Sequence, residues 1–237
     1  MALGPARGER LAAAVVWLHG FGDAAEGWVA PFQRARGAHP DWRWVHVRGG
    51  PLPQTCYGGQ RVPGWGDYRD QGCTRVGTAD YDNQDIVLES TVAAVHRIID
   101  DVVQQEGVPS ERVAVGGFSM GATAAAECAL RYPARLAGLV MLNGWLLPGA
   151  RAAALEPDRA ARVRGLPVLV SHGSADEQVG FDCGRAAADH LRAAGTAVRL
   201  EVQDGLTHVA SGFGPGRDAA ARFLEDILAL APAAEAT

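Results

Sequence analysis

Ser119 sits at the centre of Gly117-Phe-Ser-Met-Gly121, after the β-branched run beginning at Val113 and before an alanine-rich stretch. Gly-x-Ser-x-Gly between a strand and a helix is the pattern of a nucleophile elbow. The turn is so tight that the serine backbone is strained, and the flanking glycines avoid clashes that a Cβ would cause. The strain lifts the hydroxyl above the sheet edge. A serine hydroxyl is a poor nucleophile until a neighbouring base takes its proton, so the chain must also supply a base, an acid to orient it, and donors for the developing oxyanion.

Histidine suits the role of base because its pKa lies near neutrality. Among the seven histidines, His96 and His190 fall within predicted helices, on faces expected to be solvated. His39 and His46 precede or occupy the second strand, and His19 and His172 each end a strand as His-Gly. His208 differs: it follows the strand 197–203 and the turn beginning at Asp204, and it precedes the last helix. In an open parallel sheet the loops at the carboxyl ends of the strands form the site, and the chain order nucleophile, acid, histidine matches. The acid should leave the strand between the elbow and His208. Asp176, in the loop after Leu166–Gly173, fits. Asp182 competes but stands where a helix-capping residue would, and Asp204 is close in sequence to His208. Two backbone N–H groups would hold the oxyanion: that of Met120, next to the serine, and that of Phe21 in the early loop His19-Gly-Phe-Gly-Asp23.

The elements that must carry these residues alternate. Apolar strand-like runs fall at 12–18, 43–48, 112–117, 136–142, 167–171 and 197–203. Leu88, Val92, Val95, Ile99 and Val102 form one stripe at helical spacing within 82–105. Further helices are predicted at about 120–131, 182–194 and 216–230. The alternation predicts an α/β fold, a mostly parallel central sheet with helices on both faces. The chain reads as one domain over 1–237, with a short N-terminal extension to about residue 11 and a tail over about 231–237. The Gly- and Pro-rich segment 49–79 has no regular pattern, and a structureless loop of that length is usually functional.

Composition bounds the rest. Hydrophobic residues make up 48% of 237, enough for a substantial core. The net charge of −5 gives no reason to expect nucleic acid as a partner. All 22 basic residues are arginine, which removes lysine as a Schiff-base group or general base. Cys56, Cys73, Cys128 and Cys183 lack metal-ligand spacing; Cys56 and Cys73 could pair across one loop, but reduced thiols are expected. No metal and no cofactor is expected. The apolar run 11–18 is too short to span a membrane, so a cytoplasmic protein without an integral membrane segment, monomer or homodimer, is the expectation.

The motifs His19-Gly-Phe-Gly-Asp23, Trp65-Gly-Asp67, Gly117–Gly121, Asn143-Gly-Trp145-Leu146, His172-Gly-Ser-Ala-Asp176 and Gly205-Leu-Thr-His208 occur in this order. Together they resemble the acyl-protein thioesterase/lysophospholipase-like carboxylesterase family of α/β hydrolases, from about Val15 to Ile227. The resemblance implies a cofactor-free serine hydrolase of acyl esters or thioesters, its substrate an ester, a thioester or an S-acylated protein. It carries Ser119 as nucleophile, Asp176 as acid, His208 as base, and Phe21 and Met120 as oxyanion donors. Phe21 replaces the family's usual Leu, Met120 its usual Gln, and Asn143 falls where Ser-Gly is common. Gln178-Val-Gly180 replaces Val-Val-Pro, and 49–79 departs most. Trp65, Trp145, Leu146 and Leu147 are expected to line an apolar acyl pocket, with 49–79 as its rim. Lysophospholipase, peptidase and lactone-hydrolase chemistry are the alternatives on the same fold. A dienelactone-type enzyme would carry cysteine at the elbow, and a non-catalytic binding protein would normally show a broken triad.

Overall fold

The computed structural model describes residues 11–70 and 72–229. The expected C-terminal tail, and the N-terminal extension but for its last residue, lie outside this range. Six strands form one parallel sheet: β1 (Ala13–Leu18), β2 (Trp42–Val47), β5 (Val113–Phe118), β6 (Gly138–Leu142), β7 (Pro167–Gly173) and β8 (Ala197–Gln203). Their spatial order is β2-β1-β5-β6-β7-β8, so the strand order reverses between β1 and β5. Such a reversal opens a crevice at the carboxyl ends of the two strands, where ligands bind. Leu18, the last residue of β1, pairs there with Gly117, and the loops leaving these strands begin side by side.

Alternation along the strands divides the core into two layers. Ala14, Val16 and Leu18 of β1 pack with Val113, Val115, Leu139 and Met141 against α2 (Glu89–Gln104), α3 (Met120–Arg131) and α6 (Phe181–Ala193). Val15 and Trp17 point the other way, joining Trp42, Trp44, Val140 and Leu142 against α1 (Gln33–Ala38) and α8 (Pro215–Ala229). Both faces are therefore covered, which is why the strands read as continuous apolar runs.

The strand positions agree with the sequence reading to within a few residues, whereas three other expectations are corrected. The segment 49–79 is not structureless: β3 (Pro51–Gln54) and β4 (Gln60–Pro63) form an antiparallel hairpin. Prolines in both strands and the lack of hydrophobic alternation hid it. The helix expected over 82–105 begins only at Glu89. Asn83 caps a separate short turn by accepting from the Asp85 amide at 3.1 Å. Two helices were not anticipated, α4 (Pro148–Leu155) and α5 (Pro157–Val163), each with proline in its first turn. Their faces are built from alanine and arginine, which give little periodic contrast. A last short helix, α7 (His208–Phe213), starts at the candidate base.

Edge strand β2 carries His46. Burial, with Arg36 beside it, pushes this imidazole down to about 4 from an ordinary 6.5, and Arg36 Nη1 lies 3.4 Å from His46 Nε2. Between those two pH values the folded chain binds fewer protons than the unfolded chain. Stability from the neutral ring is therefore complete above 6.5 and lost as pH falls towards 4. His46→Gln should flatten the fall in urea midpoint between pH 7 and pH 4.5. An unchanged slope would show that His46 titrates normally.

Candidate active site

The elbow is built by a close crossing of backbones. A Cβ on Gly117 would overlap the Gly121 carbonyl and come within 2.7 Å of the Leu18 oxygen. One on Gly121 would run into the carbonyls of Leu18 and His19. Between them Ser119 has φ 57° and ψ −126°, a conformation that costs a non-glycine residue on the order of 1–3 kcal/mol. Its amide donates to Leu142 O of β6 at 2.8 Å, anchoring the turn to the sheet. Ser119 is buried all but 7%.

His208 and Asp176 meet across the ends of β7 and α7. His208 Nδ1 donates to Asp176 Oδ2 at 2.6 Å, and both side chains are buried. That bond fixes the tautomer and leaves Nε2 as the free acceptor. Nε2 is itself buried and has no partner among the described residues. The Phe118 ring packs on the imidazole, centroids 4.8 Å apart. Ser119 and His208 line the same cleft, of about 430 Å³.

Asp176 is the hub of this arrangement. Oδ1 accepts from the amides of Gln178 (2.9 Å) and Val179 (2.8 Å). Oδ2 accepts from Asn143 Nδ2 at 2.7 Å as well as from His208, and His172 Nε2 stands 3.3 Å away. Burial alone would push this carboxyl up. Hydrogen bonds from His172 and His208, the charge of His208 and the Asn143 amide outweigh burial and hold it well below the usual carboxylate range. The other two acids stand elsewhere. Asp182 accepts from the Val76 amide at 3.1 Å and faces Arg75, and Asp204 accepts from Ser174 Oγ at 3.0 Å.

The amides of Phe21 and Met120 donate to no acceptor among the described residues. Met120 is the first residue of α3, where the helix presents unpaired N–H groups and the positive end of its dipole. Gly22, with φ +71°, turns the chain after Phe21 and donates to Pro63 O at 2.8 Å, which ties this loop to the hairpin.

The residues expected to line the acyl pocket are placed differently. Trp65 is 3% exposed, donates through Nε1 to His19 O at 2.8 Å, and stacks near the His19 ring. Trp145, Leu146 and Leu147 are buried in the core layer with α3. None of the four lines the cleft. Their aromatic and aliphatic bulk is consumed by packing, and the wall beside Ser119 comes instead from Phe21, Tyr57 and Tyr68. Phe21 meets Tyr57 at 6.1 Å and Tyr68 at 5.0 Å between ring centroids. Burial pushes the Tyr68 phenol far above its ordinary value, so it stays neutral.

Asn143 and His172 contact Asp176, and Ser211 supports Asn143; in the sequence reading none of the three has a role in the site. Ser211 Oγ donates to Asn143 Oδ1 at 3.0 Å. Asn143 holds φ 53°, a conformation Asn tolerates better than most residues, and its place after β6 is the one available signal. His96 and His190 are half-buried, not on fully solvated faces: Nε2 of each meets a carbonyl, Cys128 O at 2.9 Å and Arg151 O at 3.0 Å. Cys73, Cys128 and Cys183 are free thiols. Burial pushes up Cys56 and Cys73, which both reach the cleft. Among the described residues no group of His, Cys, Asp or Glu is arranged to hold a metal ion, and no helix is long and apolar enough to cross a membrane.

A family model described as phospholipase/carboxylesterase matches residues 6–213. An acyl-protein thioesterase 1 of Neurospora crassa is 28% identical over 207 residues, 85% of this chain and 82% of that protein. The carboxylesterase SOBER1 of Arabidopsis thaliana is 31% identical over 197 residues, 82% of each chain. The crystal structure of SOBER1 superposes with a TM-score of 0.77 at 27% identity, covering 91% of this chain and 99% of that one. Acyl-protein thioesterase 2 of Zea mays gives 0.77 at 25%, covering 96% and 98%.

Asp176→Asn should lower kcat by about four powers of ten, because the amide would present the wrong donor to His208. Asp182→Asn should stay within a few-fold of wild type. Steady-state kinetics on a short-chain p-nitrophenyl ester checks both, and loss of turnover in Asp182→Asn alone would reassign the acid.

Proposed function

The chain belongs to the phospholipase/carboxylesterase family and is a hydrolase acting on esters; from that premise we propose a serine mechanism through an acyl-enzyme, acting on acyl esters or thioesters. The observation that supports it best is the buried, unpartnered Nε2 of His208 in the same cleft as the strained Ser119.

Ser119 Oγ attacks the substrate carbonyl carbon while His208 Nε2 takes its proton. The imidazolium that forms is held by Asp176, whose depressed pKa keeps it a carboxylate throughout the neutral range. Negative charge gathers on the carbonyl oxygen and is met by the amides of Phe21 and Met120, with the α3 dipole behind the latter. Removing one such donor commonly costs about 100- to 1,000-fold in kcat. The tetrahedral intermediate collapses, and His208 protonates the departing thiol or alcohol. Water, activated by the same nitrogen, then releases the acid and restores Ser119. The relatives named as acyl-protein thioesterases make S-acylated proteins one substrate class for this chain, beside small esters.

A fluorophosphonate should add one covalent mass on the peptide containing Ser119, and none in Ser119→Ala. Ester turnover in Ser119→Ala should fall by about five to six powers of ten. A label on another residue, or full turnover without Ser119, would refute the mechanism.

A further inference from the structure

Among the described residues, the acidic and basic side chains lining the cleft other than His208 are all carboxylates: Asp23, Asp70 and Glu177. The chain has no lysine to offset them. The arginines that neighbour this wall in sequence are engaged elsewhere, Arg69 with Asp85 and Arg75 with Asp182. Half-buried Asp23 accepts from Trp28 Nε1 at 2.8 Å and the Ala24 amide at 2.7 Å. Exposed Asp70 accepts from the Gly72 amide at 3.0 Å. Exposed Glu177 accepts from the His208 amide at 3.2 Å. Each of these donors is neutral, and none of the three carboxylates forms an ion pair among the described residues, so their charge adds up where low-dielectric walls concentrate the field. The ring of Tyr57, 45% exposed, borders the same cleft. Independently of the carboxylates, the unpartnered Nε2 of His208, a residue 2% exposed, marks this cleft as the place where a ligand binds.

We propose that this site selects its substrates by charge, preferring esters and thioesters with a cationic leaving group over neutral ones and rejecting anionic ones. A positive leaving group enters down the potential gradient, and an alkylammonium gains further from the face of an exposed tyrosine. An anionic leaving group must lose its hydration beside like charges. The proposal rests on the ester-hydrolase reading of this cleft, and the test keeps the two apart.

Three acetyl thioesters of similar size serve as probes: acetylthiocholine, its uncharged 3,3-dimethylbutanethiol isostere, and the thioester of 3-mercaptopropanesulfonate. Each kcat/KM is divided by the probe's own rate with hydroxide, which removes intrinsic reactivity. The normalised values should fall in the order cation, neutral, anion. The cation-to-anion ratio should be on the order of tenfold or more at low salt and should shrink towards unity in roughly molar salt. Asp70→Asn should lower the cation-to-neutral ratio within the variant, and adding Glu177→Gln should lower it further; the glutamine oxygen can still accept from the His208 amide. Hydrolysis of all three probes without discrimination, or with discrimination that neither salt nor these variants move, overturns the charge proposal and leaves the hydrolase reading standing. No hydrolysis of any of the three probes overturns both.

Discussion

The site depends on one crossing, where the start of α3 passes over the end of β1 with no room for a side chain at Gly117 or Gly121. That contact holds Ser119 at a positive φ and aims Met120, the first residue of α3, back towards the loop after β1. The candidate nucleophile and both candidate oxyanion amides therefore follow two strands that are neighbours in the sheet. Their relative position is set by ladder hydrogen bonds and core packing, not by flexible loops. The strain of one residue is small beside the burial of Leu18, Val115 and Phe118 that holds the strands together.

A second layer of order surrounds Asp176. Two amides of its own loop fix one oxygen, while His208 and Asn143 compete for the other. The strand ends of β6 and β7 thereby share a carboxylate, so the imidazole is positioned by two strands at once. The loop over Gln178-Val-Gly180 is closed by hydrogen bonds to Asp176, so a rigid ring there is not required.

What was legible in the sequence follows from these constraints. The strands showed because burial on both faces forces continuous apolar runs, and Ser119, Asp176 and His208 stood out because each follows the carboxyl end of a strand. Ser119, Asp176 and His208 could be aligned in chain order without coordinates. The hairpin Pro51–Pro63 could not, since proline and glycine dominate it and its pairing is set by the loops it touches. Trp65, Trp145 and Leu146 misled for a general reason. A large apolar residue near a motif can face the ligand or the core, and composition does not distinguish the two. Asn143 touches Asp176 and Ser211 touches Asn143 and the His208 carbonyl, and no residue type announces such supporting positions.

Trp65 joins the Gly22–Pro63 bond in attaching the hairpin segment to the loop after β1, through its indole and the His19 carbonyl. The groups that would carry out the chemistry ride on the sheet, whereas the aromatic wall that would meet the substrate rides largely on an appendage pinned at a few backbone points. The two parts can therefore diverge at different rates: insertions or replacements around Tyr57 would alter which molecules are admitted without disturbing the machinery that reacts with them. A chain built this way is suited to acquiring new clientele by changing its doorway while the room behind it stays furnished as before.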